Sequence, residues 1–440
     1  MDLLAVVGIL LFAVGLMLSI ALHEIGHLVP AKLFGVKVTQ YMIGFGRTVW
    51  SRRRGETEYG FKAVPLGGFV RMIGMFPPEP GGRSSELRQS STGLFQTMAR
   101  DARTAAKEEI GPGDEGRVFY RKAWWKKLII MLGGPAMNIV LAIFLAGGVL
   151  MTFGNPDKPV YSPVVSVVSE CVIPASQAEA EGDDCTGWPA APAAEAGVLP
   201  GDRILAVGGT EVSSWPEVSA AIAAAGPNTV DIVVERDGAE RTLRAELILA
   251  ERPDLDGEAG AVQTTSFLGV QPTFERFERE DVVGTLGWTG GFISNTAEAM
   301  SRIPQRMVDV WDAAFGGAER SRETPVSIVG AGRIGGEIAS ADEFTGGQRV
   351  ATFVMMLASF NMAIALFNLV PLLPLDGGHA AGAIWEAIKR AFARVFRRPE
   401  PQPVDVAKAL PLAYGVAVVL IGMSALLIYA DLVNPVRLLG

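Results

Sequence analysis

Two short stretches of this 440-residue chain carry side chains able to do chemistry together. The first is His23-Glu24-Ile25-Gly26-His27, which holds two of the three histidines in the sequence. On a helix, residues four apart share a face, so both imidazoles can meet one metal ion with Glu24 beside it. Five residues alone are a moderately specific signal. The second stretch is Asn368-Leu369-Val370-Pro371-Leu372-Leu373-Pro374-Leu375-Asp376-Gly377-Gly378, where an apolar run ends in a single carboxylate. Catalytic zinc is usually held by three protein ligands and a water. His23, His27 and Asp376 supply such a set for one zinc ion, with Glu24 as the base that takes the water's proton. Asn368 brings donors and an acceptor. It could hold a substrate backbone, stabilise an oxyanion, or simply bond one helix to another. His379 follows the glycine pair in a basic segment and reads as a structural or surface group rather than a fourth ligand.

The elements that must position these residues are membrane spans. Leu3 to Leu22 carries no charge and runs straight into His23. Further apolar runs cover Leu128–Phe153, Val350–Leu375 and Ala409–Ala430. Each matches the ~20 residues needed to cross a hydrocarbon layer. The first run lacks a basic leader and a small-residue cleavage site, so it is expected to stay on the protein. Ionisable groups at such depth are costly and usually functional. Lys32 is the first charge after the motif, nine residues past His23, which puts that imidazole roughly 13 Å inside the membrane boundary. Pro371 and Pro374 break the third span, and irregular backbone is tolerated where it lines a water-filled cavity. Gly377-Gly378 reads as a tight turn, and Pro30 as a kink in the first span.

Charge predicts the sidedness. Leu28–Lys127 holds 18 Lys/Arg against 9 Asp/Glu, whereas Thr152–Arg349 holds 14 against 31. Basic connections stay cytoplasmic, so the first and the Gly378–Leu410 segment belong inside and the central segment outside. The site then lies towards the cytoplasmic face. The expected divisions are a first span over 1–35, a membrane-associated β-hairpin region over 36–76 and a cytoplasmic loop over 77–125. A second span (126–153), an α/β module (160–250), and a linker with an amphipathic helix (251–345) follow. The chain closes with a third span (350–378), a cytoplasmic loop (379–408) and a fourth span (409–431). Alternating, glycine-punctuated residues with a solvated Arg52-Arg53-Arg54-Gly55 tip carry the hairpin reading. Pro77–Gly116 is rich in Gly, Pro and Ser and reads as flexible. Trp124, Trp125, Lys126 and Lys127 form an interfacial belt. Cys171 and Cys185 both fall in the outward segment, where an oxidising compartment permits a disulfide.

Taken in order, these motifs resemble the site-2 protease family. The resemblance rests on His23-Glu24-x-x-His27, Gly44-Phe45-Gly46, Pro65-Leu66-Gly67-Gly68, Gly134-Pro135-Ala136-Met137-Asn138 and the Asn368…Asp376-Gly377-Gly378 segment. Ala193–Leu205 with Val207-Gly208-Gly209 resembles the signature of a PDZ domain, without a recognisable carboxylate-binding loop. Thr324-Pro325 stands where the family has Gly-Pro. The resemblance implies a polytopic α-helical membrane protein with about four transmembrane helices, a membrane-associated β-hairpin region and an inserted extracytoplasmic α/β PDZ-like domain. It implies a zinc endopeptidase of a bacterial inner membrane, cutting single-span proteins already shortened by a site-1 protease. An anti-sigma factor is the substrate it suggests. His23, His27 and Asp376 match the family's zinc ligands, Glu24 its general base and Asn368 its substrate-contacting asparagine.

Two other classes fit parts of the sequence. A proton- or ion-coupled transporter could use His23, Glu24 and Asp376 as a relay, although no internal repeat supports it. A catalytically idle membrane adaptor built around the PDZ-like module has no need of Glu24 and three ligands together. The Lys/Arg clusters read as membrane-edge anchors, and no nucleic-acid partner is expected.

Overall fold

The computed structural model describes residues 3–77, 110–174, 185–253, 262–317, 320–321, 324–341 and 344–436. It divides into two compact units, Met1–Phe153 with Asp281–Gly440, and Gly154–Glu280.

The first unit is helical. Its helices α1 (Leu3–Leu33) and α2 (Trp124–Thr152) are both long and apolar enough to cross a membrane. Pro30 lies inside α1 without ending it. The two cross at glycines: a Cβ on Gly26 would overlap the carbonyl of Gly133, and one on Gly133 would overlap that of Gly26. Backbones that touch in this way pack by van der Waals contact, which is the main attraction left in lipid. The outward residues of these helices, Leu10, Leu11 and Val14 on α1 and Val140 and Phe144 on α2, are large, apolar and exposed. Together with two further helices of the same kind, they make this a multi-pass membrane protein.

Between α1 and α2 stand two long strands, β1 (Val38–Arg54) and β2 (Thr57–Met72), joined at the Gly55 turn. The ribbon folds back on itself. Residues 40–43 have partners on both sides, Gly68–Arg71 along one and Glu58–Phe61 along the other. The stretch around Gly68–Val70 is therefore an edge. Tyr41 fixes the ribbon to α1 by donating its hydroxyl to the Ala21 carbonyl at 2.9 Å. Residues 78–109 of the expected flexible loop lie outside the described residues.

The second unit holds a six-stranded sheet and is longer than the 160–250 module expected from sequence. Its strands are β3 (Pro159–Val168), β4 (Arg203–Val207), β5 (Thr210–Glu211), β6 (Thr229–Arg236), β7 (Ala239–Glu246) and a last strand, Val270–Phe277. That last strand pairs with β3, so residues read as linker close the sheet. Its charged Glu275 and Arg276 disguise it. The acidic stretch after Leu249 begins as the strand Ile248–Pro253, paired with Val262–Phe267. Residues 254–261 between them lie outside the described residues. Val165, Val198, Ile204, Val218, Ile232 and Leu268 form the core against the helix Trp215–Ala225, whose first turn is capped by Ser214 and Glu217. The Arg236 guanidinium grips Asp202 at 2.6 Å and holds its carboxyl below the usual range. That contribution is present above the ordinary Asp range and is lost as the pH falls through the lowered value. Cys171 and Cys185 are joined by a disulfide.

Back in the first unit, the amphipathic region is two helices, α5 (Val282–Ser301) and α6 (Ile303–Phe315), broken at Arg302 before Pro304. Here α3 and α4 denote Pro192–Ala196 and Trp215–Ala225 of the other unit. An unforeseen helix, α7 (Ile328–Ser340), packs on α1 with Gly335 against Gly8. The third span, α8 (Gly346–Asn368), ends at Asn368, and Leu369–Leu375 is irregular. The segment expected to be a loop over 379–408 is largely helix α9 (Asp376–Val395). Gly377 and Gly378 lie in its first turn and are not a tight turn. Their missing side chains instead admit the close passage of Leu369–Leu373, whose backbone a Cβ at either position would strike. Last comes α10 (Leu410–Val433).

The α1–α2 crossing leads to a stability test. Gly26→Ala should destabilise the protein by about 1–3 kcal/mol through overpacking, read as a lower unfolding midpoint in detergent. Gly148→Ala, whose Cβ meets open space, should leave the midpoint unchanged or slightly higher.

Candidate metal centre

The geometry of α1 does the first part of the work. His23 and His27 project from successive turns, and both are buried, as is Glu24 between them. The Nε2 atoms of the two imidazoles lie 3.3 Å apart. Asp376 arrives from a different direction, as the first residue of α9, where the free N–H groups of a helix start favour a carboxylate. Its Oδ2 stands 3.3 Å from His23 Nε2 and 3.2 Å from His27 Nε2.

These three separations are nearly equal, and that is informative. A tetrahedron with bonds of ~2.0–2.1 Å, the zinc–nitrogen and zinc–oxygen range, has edges of roughly 3.3–3.4 Å. The donor triangle therefore fits one face of a zinc coordination sphere. It is the group of this kind found among the described residues. The imidazoles also present the correct nitrogens. His27 Nδ1–H donates to the Ile130 carbonyl at 2.7 Å, the tautomer that leaves a lone pair on Nε2.

Room for the rings comes from α2. A Cβ on Gly134 would collide with His27 Nε2 and stand 2.7 Å from His23 Nε2. One turn further along, Asn138 is wholly buried, and neither of its amide atoms has a hydrogen-bond partner in the protein. Asn138 thus brings both donor and acceptor atoms to the lining of this site. The local sequence does not tell which face of α2 meets the site.

A cavity of about 520 Å³ opens on this centre. His23, Glu24, His27 and Asp376 line it, and so do Asn138, Asn368 and the Gly67–Val70 edge of the ribbon. Every site residue expected from α1 and the third span thus meets at one cavity. Cys171 and Cys185 belong to the other unit. His379 is a correction. It does not lie in a surface loop, because α9 turns it into the same cavity, with Nδ1 buried and unpartnered. Its position three residues after Asp376 on a helix was the signal, hidden by the expectation of a turn at the glycines.

The sequence profile of peptidase family M50 matches residues 11–398. The chain belongs to that family, the site-2 proteases. Zinc metalloprotease Rip1 of Mycobacterium bovis is 36% identical over 443 residues, covering 98% of this chain and 99% of that protein. Zinc metalloprotease Rip1 of Mycolicibacterium smegmatis is 35% identical over 444 residues, with 98% of each chain covered. Metalloprotease MmpA of Caulobacter vibrioides is 26% identical over 408 residues, covering 87% and 88%. The M50 profile spans both halves of the metal centre.

Two variants test the centre directly. Asp376→Ala should take zinc from about one ion per chain to near none, by metal analysis of purified protein. Gly134→Ala should keep all three donors yet weaken zinc at least about tenfold, a loss in the range reported for disturbed ligand support.

Proposed function

We propose that this chain is a zinc-dependent intramembrane endopeptidase that cuts single-span membrane proteins. Zinc is its cofactor, in keeping with its family and with the names of its relatives. The observation that carries the reading is the donor triangle of His23, His27 and Asp376, built between membrane-length helices with Glu24 in the same cavity.

Held by those three residues, zinc would supply a Lewis acid for the scissile carbonyl and make a bound water more acidic. Glu24 takes the proton of the attacking water and returns it to the leaving amine. Asn368 donates its amide N–H to the carbonyl oxygen as negative charge grows there. A helical substrate hides its carbonyls, so it must unwind before it can react. The Gly68–Val70 edge offers unpaired backbone groups beside Glu24, suited to hold the unwound segment as an added strand. Asn138 is placed to satisfy a peptide group that this unwinding exposes.

The chain is read as a bacterial inner-membrane protein. The basic segments are cytoplasmic, and the Gly154–Glu280 unit is extracytoplasmic and PDZ-like. Its antiparallel sheet with a helix after a Gly-Asp-Arg-Ile-Leu strand supports the PDZ reading. Screening access to the site suits that unit better than catalysis does. The substrate class is a protein pre-trimmed by a site-1 protease, an anti-sigma factor being the type the family suggests.

The test is co-expression with tagged single-span candidates, followed by cleavage in proteoliposomes. Glu24→Gln should lower cleavage by about 10²–10⁴-fold while keeping its zinc. Asn368→Ala should lower kcat by about 10²–10³-fold with an unchanged unfolding midpoint. Undiminished cleavage by Glu24→Gln would overturn the mechanism.

A further inference from the structure

A second cavity, of about 630 Å³, lies away from the metal centre, where the start of α2 meets the far end of α9. Its lining combines Trp124 and Ile388 with three arginines, Arg390, Arg394 and Arg398. Arg390 and Arg394 stand one turn apart on α9. Arg398 is brought back beside them by the way the helix stops. Arg397 takes a left-handed conformation at φ 48°, and the Arg398 N–H donates to the Ala393 carbonyl at 2.8 Å. This is a Schellman ending with arginine in the position that usually holds glycine. The chain therefore accepts an unfavourable backbone state to fold Arg398, Glu400 and Pro401 against the cleft.

The charges in this cleft are not balanced. Arg390 pairs with Glu386 at 3.0 Å and with Glu400 at 3.4 Å, yet its Nε is buried without a partner. Among the described residues, neither Arg394 nor Arg398 carries an ion pair. An arginine fork matches phosphate oxygens in pairs. α9 also exposes Trp385, Phe392, Val395 and Phe396, a stripe of large apolar side chains that Ile388, itself exposed, joins to the cleft it lines. A helix with such a stripe flanked by cations lies in the membrane interface. Trp124 and the exposed Trp125 mark the same level at the start of a membrane-spanning helix.

We propose that this cleft is a binding site for one anionic phospholipid. Its phosphate sits among Arg390, Arg394 and Arg398, and its acyl chains run along the apolar stripe of α9. Clusters of basic residues on an amphipathic helix, or just beyond a spanning one, attract acidic lipid headgroups. The lipid, not free phosphate, is the occupant that accounts for the stripe as well as the arginines. Since α9 begins with Asp376, the site fixes the far end of the helix that carries a donor of the metal centre.

The test is native mass spectrometry of the delipidated full chain, titrated with phosphatidylglycerol, phosphatidylcholine or inorganic phosphate. One phosphatidylglycerol should bind at least tenfold more tightly than phosphatidylcholine. The variant Arg394→Ala/Arg398→Ala should lose that preference, while Arg394→Lys/Arg398→Lys keeps most of it. Arg52→Ala/Arg53→Ala, at the hairpin tip, should keep all of it. Equal binding of the two lipids by the native chain would overturn the proposal, as would an undiminished preference in the double alanine variant. Competition by millimolar inorganic phosphate that fully displaces the lipid would reassign the cleft to a free anion.

Discussion

Three groups able to ligate one metal ion are held within 3.3 Å of one another inside a membrane protein. The fold around them is arranged to keep this spacing. Each comes with its own restraint. His27 is pinned through Nδ1 to the Ile130 carbonyl, and both imidazoles are walled by Gly134. Asp376 is set by the start of a helix. The α1–α2 crossing at Gly26 and Gly133 thus sets where the two imidazoles stand, and α9 brings the carboxylate to them.

The same logic extends outward through polar pairs that would be expensive in lipid if left alone. Asn361 of α8 donates to Ser19 of α1 at 2.9 Å, tying the span that leads to Asp376 to the span that carries the histidines. Lys127 of α2 meets Glu386 of α9 at 2.7 Å, both almost fully buried. At the other end of the unit, Asp431 of α10 receives Arg320 and the Ser327 N–H that opens α7. Each pair joins elements distant in sequence. A buried charge or amide is satisfied in one arrangement only, so such pairs specify how the helices assemble.

Legibility from sequence follows the range of the signals involved. His23, Glu24 and His27 are readable because helical spacing is local, and Asp376 because a lone carboxylate after an apolar run is conspicuous. The four spans announce themselves by composition. Helix α7 does not, since four of its thirteen residues are glycine, each costing about 1 kcal/mol of helix propensity. Its stability comes from the groove it fills on α1, which no local pattern reveals. Helix α9 was hidden by its glycine pair, and His379 with it. Gly134 and Asn138 matter only through the face that α2 turns inward. The strand Val270–Phe277 depends on a partner over a hundred residues earlier.

If, as proposed, the open side of the ribbon near Gly68–Val70 receives the unwound substrate, selectivity must arise elsewhere. Main-chain pairing is indifferent to side-chain identity, so a strand edge accepts almost any unwound sequence. Discrimination then falls on how readily a candidate helix melts. Residues such as glycine or proline, which weaken helices, would mark the bonds at risk, and a stiff leucine-rich helix would pass by uncut.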